Sequence, residues 1–137
     1  MSEESVLKPS SKRSSSVFTV SIQTSFWASH QIRLSDGRRE PIHSHNWIVT
    51  TEVSGSELNR MGLVIDFNKL KKIIEGITGE FDNRPLEENP YFQENNSTAE
   101  TVAKYIFEKL ESQLPEHIRL TAVTVMEEPC CEAKYTK

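Results

Sequence analysis

The sequence predicts an α+β fold, an antiparallel four-stranded sheet with two helices on one face. Three observations carry this expectation. Residues 17–26 and 47–53 alternate apolar and polar side chains, the pattern of strands half buried in a sheet. Residues 66–79 and 97–115 instead repeat apolar side chains at the 3.6-residue period of amphipathic helices. The order is two strands, two helices and a closing strand, as in domains whose helices cover one face of an antiparallel sheet.

The elements follow in order. Ser10 to Ser16 is serine-rich and basic, with Pro9 before it, and such a segment buries too little apolar surface to order itself. A disordered tail is therefore expected over 1–16 and one domain over 17–137. In the first strand Phe18, Val20, Ile22 and Phe26 share a face, and Thr19, Ser21, Gln23 and Ser25 share the other. Ser35-Asp36-Gly37 is a turn signal. In the second strand Trp47, Val49, Thr51 and Val53 fall on one face. Met61 to Ile65 reads as a further short strand. Asp66 can cap a helix to about Gly79, with Phe67, Leu70, Ile73, Ile74 and Ile77 as its apolar stripe. The next helix starts near Ser97, where Ser97 and Glu100 have capping-box spacing, and Pro115 marks its end. Ala99, Val102, Ala103, Ile106, Phe107 and Leu110 form its buried face. Leu120 to Glu127 closes the sheet, with Val123, Val125 and Glu127 on one face. A carboxylate at the end of an apolar face is either exposed at the strand's end or kept to bind something. The sheet face opposite the helices needs cover, and other subunits are expected to supply it.

At 137 residues the chain is one domain that can bury a core without disulfides. Its net charge of -4 gives no basic footprint for nucleic acid. Arg33, Arg38 and Arg39 form a local basic cluster that reads as a solvated loop or a meeting point for an anion. Cys130 and Cys131 are adjacent and too few for a disulfide framework, which fits a reducing, cytoplasmic setting. No apolar run approaches the length of a membrane span, and no secretory signal stands at the N-terminus.

Chemistry concentrates in three of the four histidines. His43 and His45 are two apart on a strand-like stretch, so their imidazoles face the same side. His30 follows the first strand and can supply a third nitrogen. Three histidines with a fourth position left to water or substrate is a catalytic zinc arrangement. Zinc is the default for imidazole ligands, while iron, copper and nickel also accept them. His117 lies in a polar turn after Pro115 and has no expected role.

Five blocks in order make the chain resemble the 6-pyruvoyl-tetrahydropterin synthase and 6-carboxytetrahydropterin synthase family. They are Phe26-Trp27-Ala28-Ser29-His30, His43-Ser44-His45-Asn46-Trp47, Gly62-Leu63-Val64-Ile65-Asp66-Phe67, Ser97-Thr98-Ala99-Glu100, and Val123-Thr124-Val125-Met126-Glu127 with Ala133 and Tyr135. The resemblance implies the tunnelling fold, whose sheets close into a barrel around a trimer, two trimers stacking as a homohexamer. It implies Zn2+ on His30, His43 and His45, a small-molecule pterin substrate anchored by Glu127, and a pterin-pocket position at Thr98.

The departures from the family pattern direct the choice of reaction. Gly37, Arg38 and Arg39 stand where the family's cysteine is usual, and Glu40 stands three residues before His43. That arrangement resembles the glutamate-bearing subgroup, which cleaves the side chain of 7,8-dihydroneopterin triphosphate to 6-hydroxymethyl-7,8-dihydropterin, a folate precursor. Asp82 matches the acid of the family's Asp-His pair, but the histidine is Asn83. Glu40 and Asp82 are thus the expected catalytic residues. Three readings stand: a zinc-dependent lyase using Glu40, a 6-pyruvoyl- or 6-carboxytetrahydropterin synthase, and a zinc and pterin-binding protein without turnover.

Overall fold

The two alternating segments pair into one long antiparallel hairpin, and that hairpin positions the site. The computed structural model describes residues 16–137. The elements are β1 (Phe18–His30), β2 (His43–Gly55), α1 (Phe67–Thr78), β3 (Arg84–Pro85), α2 (Pro90–Glu94), α3 (Ala99–Glu111), β4 (Arg119–Glu128) and β5 (Cys131–Tyr135). A 3-10 turn at Leu86–Glu88 links β3 to α2. The tail expected over 1–16 lies, apart from Ser16, outside the described residues.

β1 and β2 pair from Phe18 opposite Gly55 to His30 opposite His43. Both strands run past the alternating apolar segments because the alternation continues in other side chains. Ala28 and His30 follow Phe26 on the inner face of β1, while His43 and His45 precede Trp47 on that of β2. The core lies between this face and the helices. Trp47, Val49, Val53, Val123 and Val125 meet Leu70, Ile74 and Ile77 of α1 and Val102, Ile106, Phe107 and Leu110 of α3. The opposite face carries Ser21, Gln23, Ser25 and Trp27 on β1, all exposed.

The expected four-stranded antiparallel sheet with two helices is corrected to a five-stranded mixed sheet, ordered β3-β1-β2-β4-β5, with three helices. β3 pairs parallel to β1 through Ala28–Arg84 and Ser29–Pro85, which is too short to leave a period in the sequence. β5 pairs with β4 at the far edge. The predicted strand at Met61 to Ile65 is instead a turn. The Asn59 side chain accepts from Met61 N at 2.9 Å and Leu63 N at 3.0 Å, and Gly62 takes φ +81°. Phe67, placed on the buried stripe of α1, is 54% exposed. The cap of α3 is Thr98 with Thr101, each side chain accepting from the other's backbone N–H, rather than Ser97 with Glu100. Ser97 cannot cap because its hydroxyl donates to Glu87.

Among the described residues no helix is long and apolar enough to cross a membrane. Cys130 and Cys131 are exposed and free. His117 is exposed in the turn before β4, at the opposite end of that strand from Glu127.

Candidate functional site

The hairpin register brings the histidines together. His30 is directly opposite His43, and Ala28 is opposite His45, so all three imidazoles project from the inner face at one end of the sheet. Trp47 lies beneath them, with its ring centroid 4.9 Å from that of His30 and 5.6 Å from that of His45. Its indole N–H donates to the Ala28 carbonyl at 3.1 Å, which fixes the ring in place.

Hydrogen bonds set the tautomers. His30 Nδ1 is 2.7 Å from the Ser97 carbonyl, and His43 Nδ1 is 3.0 Å from the Pro41 carbonyl. A carbonyl only accepts, so both Nδ1 atoms carry a proton, and in the neutral form of each ring Nε2 is left with a bare lone pair. Those two Nε2 atoms lie 2.9 Å apart. Two lone pairs at that distance repel, and a cation shared between them makes the contact favourable. His45 Nε2 is buried and has no hydrogen-bond partner. Burial holds the His45 pKa below the ordinary imidazole value, against the pull of the Glu127 carboxylate. The His30 and His43 rings reinforce the lowering. A lowered pKa favours the neutral form, which is the form that binds metal.

The fourth member of the group is Glu127. Register continues from Ile48–Met126, so Glu127 shares the inner face with Trp47 and His45. Its Oε2 lies 3.3 Å from His45 Nε2 and 3.6 Å from His30 Nε2. Ligand atoms about 2.0–2.1 Å from a tetrahedral ion are about 3.3–3.4 Å from one another. One ligand atom from each of His30, His43, His45 and Glu127 fits within 4.8 Å of all the others. The donor set therefore fits a divalent ion. The three predicted histidines converge, and Glu127, expected only as a ligand anchor, stands in the same group. Its place at the end of the Val-x-Val-x-Glu face was visible in the sequence, but its distance to the histidines was not.

A layer behind the histidines went unread in the sequence. Glu87 Oε2 accepts from Gln31 N at 3.0 Å and from the Ser97 hydroxyl. One carboxylate thus ties the residue after His30 to the residue whose carbonyl holds the His30 ring. Ser97 and His30 are each 1% exposed. Partners of this kind orient metal ligands and raise their basicity.

Glu40 is also in place. Its carboxylate is 3.8 Å from His43 Nε2 and accepts from Ile32 N at 3.2 Å, while its own backbone N–H donates to Ile32 O at 3.0 Å. This double tie holds Glu40 against the end of β1. Arg38 pairs with Asp36 inside the loop at 2.7 Å, and Arg33 and Arg39 face each other across a bridge. Asp82 is not drawn to the histidines. Its carboxylate accepts from Trp27 N at 2.9 Å, and Asn83 beside it takes φ 63°. The Thr98 hydroxyl is engaged in capping α3. On the opposite face of the sheet, behind the group, lies a cavity of about 350 Å3 lined by Trp27, Ser44, Asn46, Ile48 and Met126, with His45 and Glu127 at its edge.

The chain is similar to several known proteins. A dihydroneopterin monophosphate aldolase of Pyrococcus furiosus is 31% identical over 105 residues, covering 77% of this chain and 85% of the relative. A 6-carboxy-5,6,7,8-tetrahydropterin synthase of Bacillus subtilis is 32% identical over 92 residues, covering 64% of this chain and 61% of the relative. The solved structure of the Caenorhabditis elegans 6-pyruvoyl tetrahydropterin synthase superposes with a TM-score of 0.76 at 27% identity, covering 89% of this chain and 96% of that one. The 6-pyruvoyl tetrahydropterin synthase profile matches residues 19–137, and the chain belongs to that family.

Proposed function

We propose that the protein is a zinc-dependent pterin lyase that cleaves the side chain of 7,8-dihydroneopterin triphosphate to 6-hydroxymethyl-7,8-dihydropterin. The observation that supports this most is the Glu40 carboxylate, 3.8 Å from His43 Nε2 where the family's cysteine is absent. The aldolase name of the Pyrococcus furiosus relative points to the same class of bond cleavage.

The cleavage is a retro-aldol step. The hydroxyl on the second side-chain carbon loses its proton, the bond between the first and second carbons breaks, and an aldehyde leaves. The electron pair passes into the C=N bond of the dihydropterin, and the first carbon is then reprotonated. Glu40 takes the hydroxyl proton and can return it, as a carboxylate positioned by two bonds to Ile32. Zn2+ on His30, His43 and His45 supplies Lewis acidity that makes the side-chain hydroxyls easier to deprotonate. Glu127 anchors the pterin by accepting paired hydrogen bonds from a ring N–H and the exocyclic amine. Asp82, held by Trp27 N, contributes by fixing the turn after α1 rather than as a proton carrier within one chain.

The test is incubation of the zinc-loaded protein with 7,8-dihydroneopterin triphosphate, and separately with the monophosphate, with products identified by mass. The expected product is 6-hydroxymethyl-7,8-dihydropterin. A pyruvoyl or carboxy pterin would instead assign it to the synthase branches, and binding without product would make it a carrier.

The reading includes a homohexamer. The open face of β1 and β2 and the exposed Phe18, Trp27, Met61 and Phe67 are surfaces that subunit contacts would cover. Light scattering is expected to give a mass several-fold above the 15.7 kDa of one chain. A monodisperse monomer at micromolar concentration would contradict the assembly.

A further inference from the structure

We infer that Asn96 is a positioning residue: its carboxamide clamps the arm between β1 and β2, so that Glu40, near the end of that arm, stands beside the metal-binding histidines. This rests on the reading of Glu40 as the base and adds the group that holds it there. The clamp is a matched pair of bonds. Asn96 Oδ1 accepts from Arg33 N at 2.8 Å, and Asn96 Nδ2 donates to Arg33 O at 2.9 Å, across 63 residues of sequence. A carboxamide carries an acceptor and a donor in one plane, so it pairs with a peptide unit as a neighbouring strand would. Neither an ionised carboxylate nor an aliphatic side chain can make both bonds.

The arm needs such a clamp. Glu40 is joined to the outgoing half of the arm at Ile32, through Ile32 N to Glu40 Oε1 at 3.2 Å and Glu40 N to Ile32 O at 3.0 Å. The path of Ile32 therefore sets where the Glu40 carboxylate stands, and Arg33 is the next residue along. Packing does little to fix this stretch. Leu34 and Ile42 are 40% and 67% exposed, so the arm's own apolar side chains bury little. Arg33 and Arg39 face each other across the arm, and like charges directly opposite push apart. A cavity of about 80 Å3 lies between these arginines and Phe92 and Gln93. The Arg33 guanidinium reaches Gln93 O at 3.4 Å, a long bond. Directed bonds, more than packing, hold the arm to the helical layer.

Asn96 is itself firmly placed. Its carbonyl accepts from the Thr101 hydroxyl, part of the cap of α3. The next residue, Ser97, holds the His30 ring through its carbonyl at 2.7 Å. Two adjacent residues just ahead of α3 therefore grip both halves of the site. Ser97 fixes a metal-binding imidazole, and Asn96 fixes the arm that carries the carboxylate. The 3.8 Å between Glu40 and His43 Nε2 is set from this common frame. A misplacement of about 1 Å can cost about 10²-fold in rate. Loss of the Asn96 bonds should thus leave the ion in place and loosen the base.

Asn96→Leu removes both bonds at nearly the same volume, and two measurements read the result. The first is amide hydrogen exchange followed by mass spectrometry, on the zinc-loaded protein without substrate. Exchange in residues 31–41 is expected to speed up about tenfold or more, while that of β2 stays at the parent rate. The second is kinetics with 7,8-dihydroneopterin triphosphate. In Asn96→Leu kcat is expected to fall about tenfold or more, with KM and zinc content close to those of the parent. Asn96→Asp keeps the acceptor for Arg33 N and should recover part of both effects. In the Glu40→Gln background Asn96→Leu should cost nothing further, because its effect runs through Glu40. Unchanged exchange in residues 31–41 overturns the clamp, and so does parent-like kcat in Asn96→Leu. An equal loss of kcat with and without Glu40, or faster exchange throughout β2, shows a general loss of structure and overturns the positioning role. Parent-like kcat in Glu40→Gln, or a parent protein without turnover, removes the lyase reading itself and this inference with it, whatever the exchange shows.

Discussion

His45→Ala is expected to abolish tight, stoichiometric binding of a divalent ion, and His43→Ala to do the same. Loss of an orienting partner alone typically costs about 10–100-fold in metal affinity, and loss of a ligand should exceed that. The reason lies in the rings' fixed orientation. His30 and His43 present bare Nε2 atoms 2.9 Å apart, and the third nitrogen, His45 Nε2, is buried with no hydrogen-bond partner. Removing one leaves too few donors to outcompete water. The fold should survive, because the hairpin register is carried by the Phe26–Trp47 pair and the core beyond it. Metal analysis after dialysis against chelator, with circular dichroism as the folding control, reads the result. His117→Ala should retain the ion, since that ring lies in the turn before β4. Unchanged stoichiometric zinc in both His43→Ala and His45→Ala would place the ion elsewhere.

That expectation was already written in the sequence, and the reason is local. A His-x-His pair on a strand needs only the two-residue period to put both rings on one side. Placing His30 opposite His43 needed only a hairpin, which the alternation of β1 and β2 announces. The helical stripes of α1 and α3 were legible for the same reason, as one-dimensional periods. What escaped was set by contacts distant in sequence. Glu87 reaches the site through Ser97 and Gln31, 10 and 56 residues away, and nothing in Leu86–Glu88 marks it. β5 is a five-residue edge strand, CEAKY, with two of its five residues charged, whose pairing depends on β4 being present. α2 did leave a signal, Asn89 before Pro90, a capping residue followed by proline at the first helical position. It is five residues long and has too little apolar period to be noticed. Met61 to Ile65 misled because apolar composition was read as extension, whereas Asn59 and the positive φ of Gly62 fold it into a turn.

The second large effect is expected at Glu40. Glu40→Gln preserves shape and removes the base, so turnover should fall by roughly 10²-fold or more. The loss should appear in kcat, with zinc content and pterin affinity close to those of the parent. Two features make the substitution informative. The Ile32 N–H that now donates to Glu40 Oε1 can donate to the glutamine's carbonyl oxygen, so the loop should keep its path. The carboxylate is 3.8 Å from His43 Nε2, near the ion without standing in the four-atom donor set. A metal-ligand substitution would lower metal content and turnover together, and Glu127→Ala is expected to weaken pterin binding. Glu40→Gln should separate the proton transfer from both. Parent-like kcat in Glu40→Gln would leave the retro-aldol step without its base, and Glu40 would be only the residue that closes the loop onto Ile32.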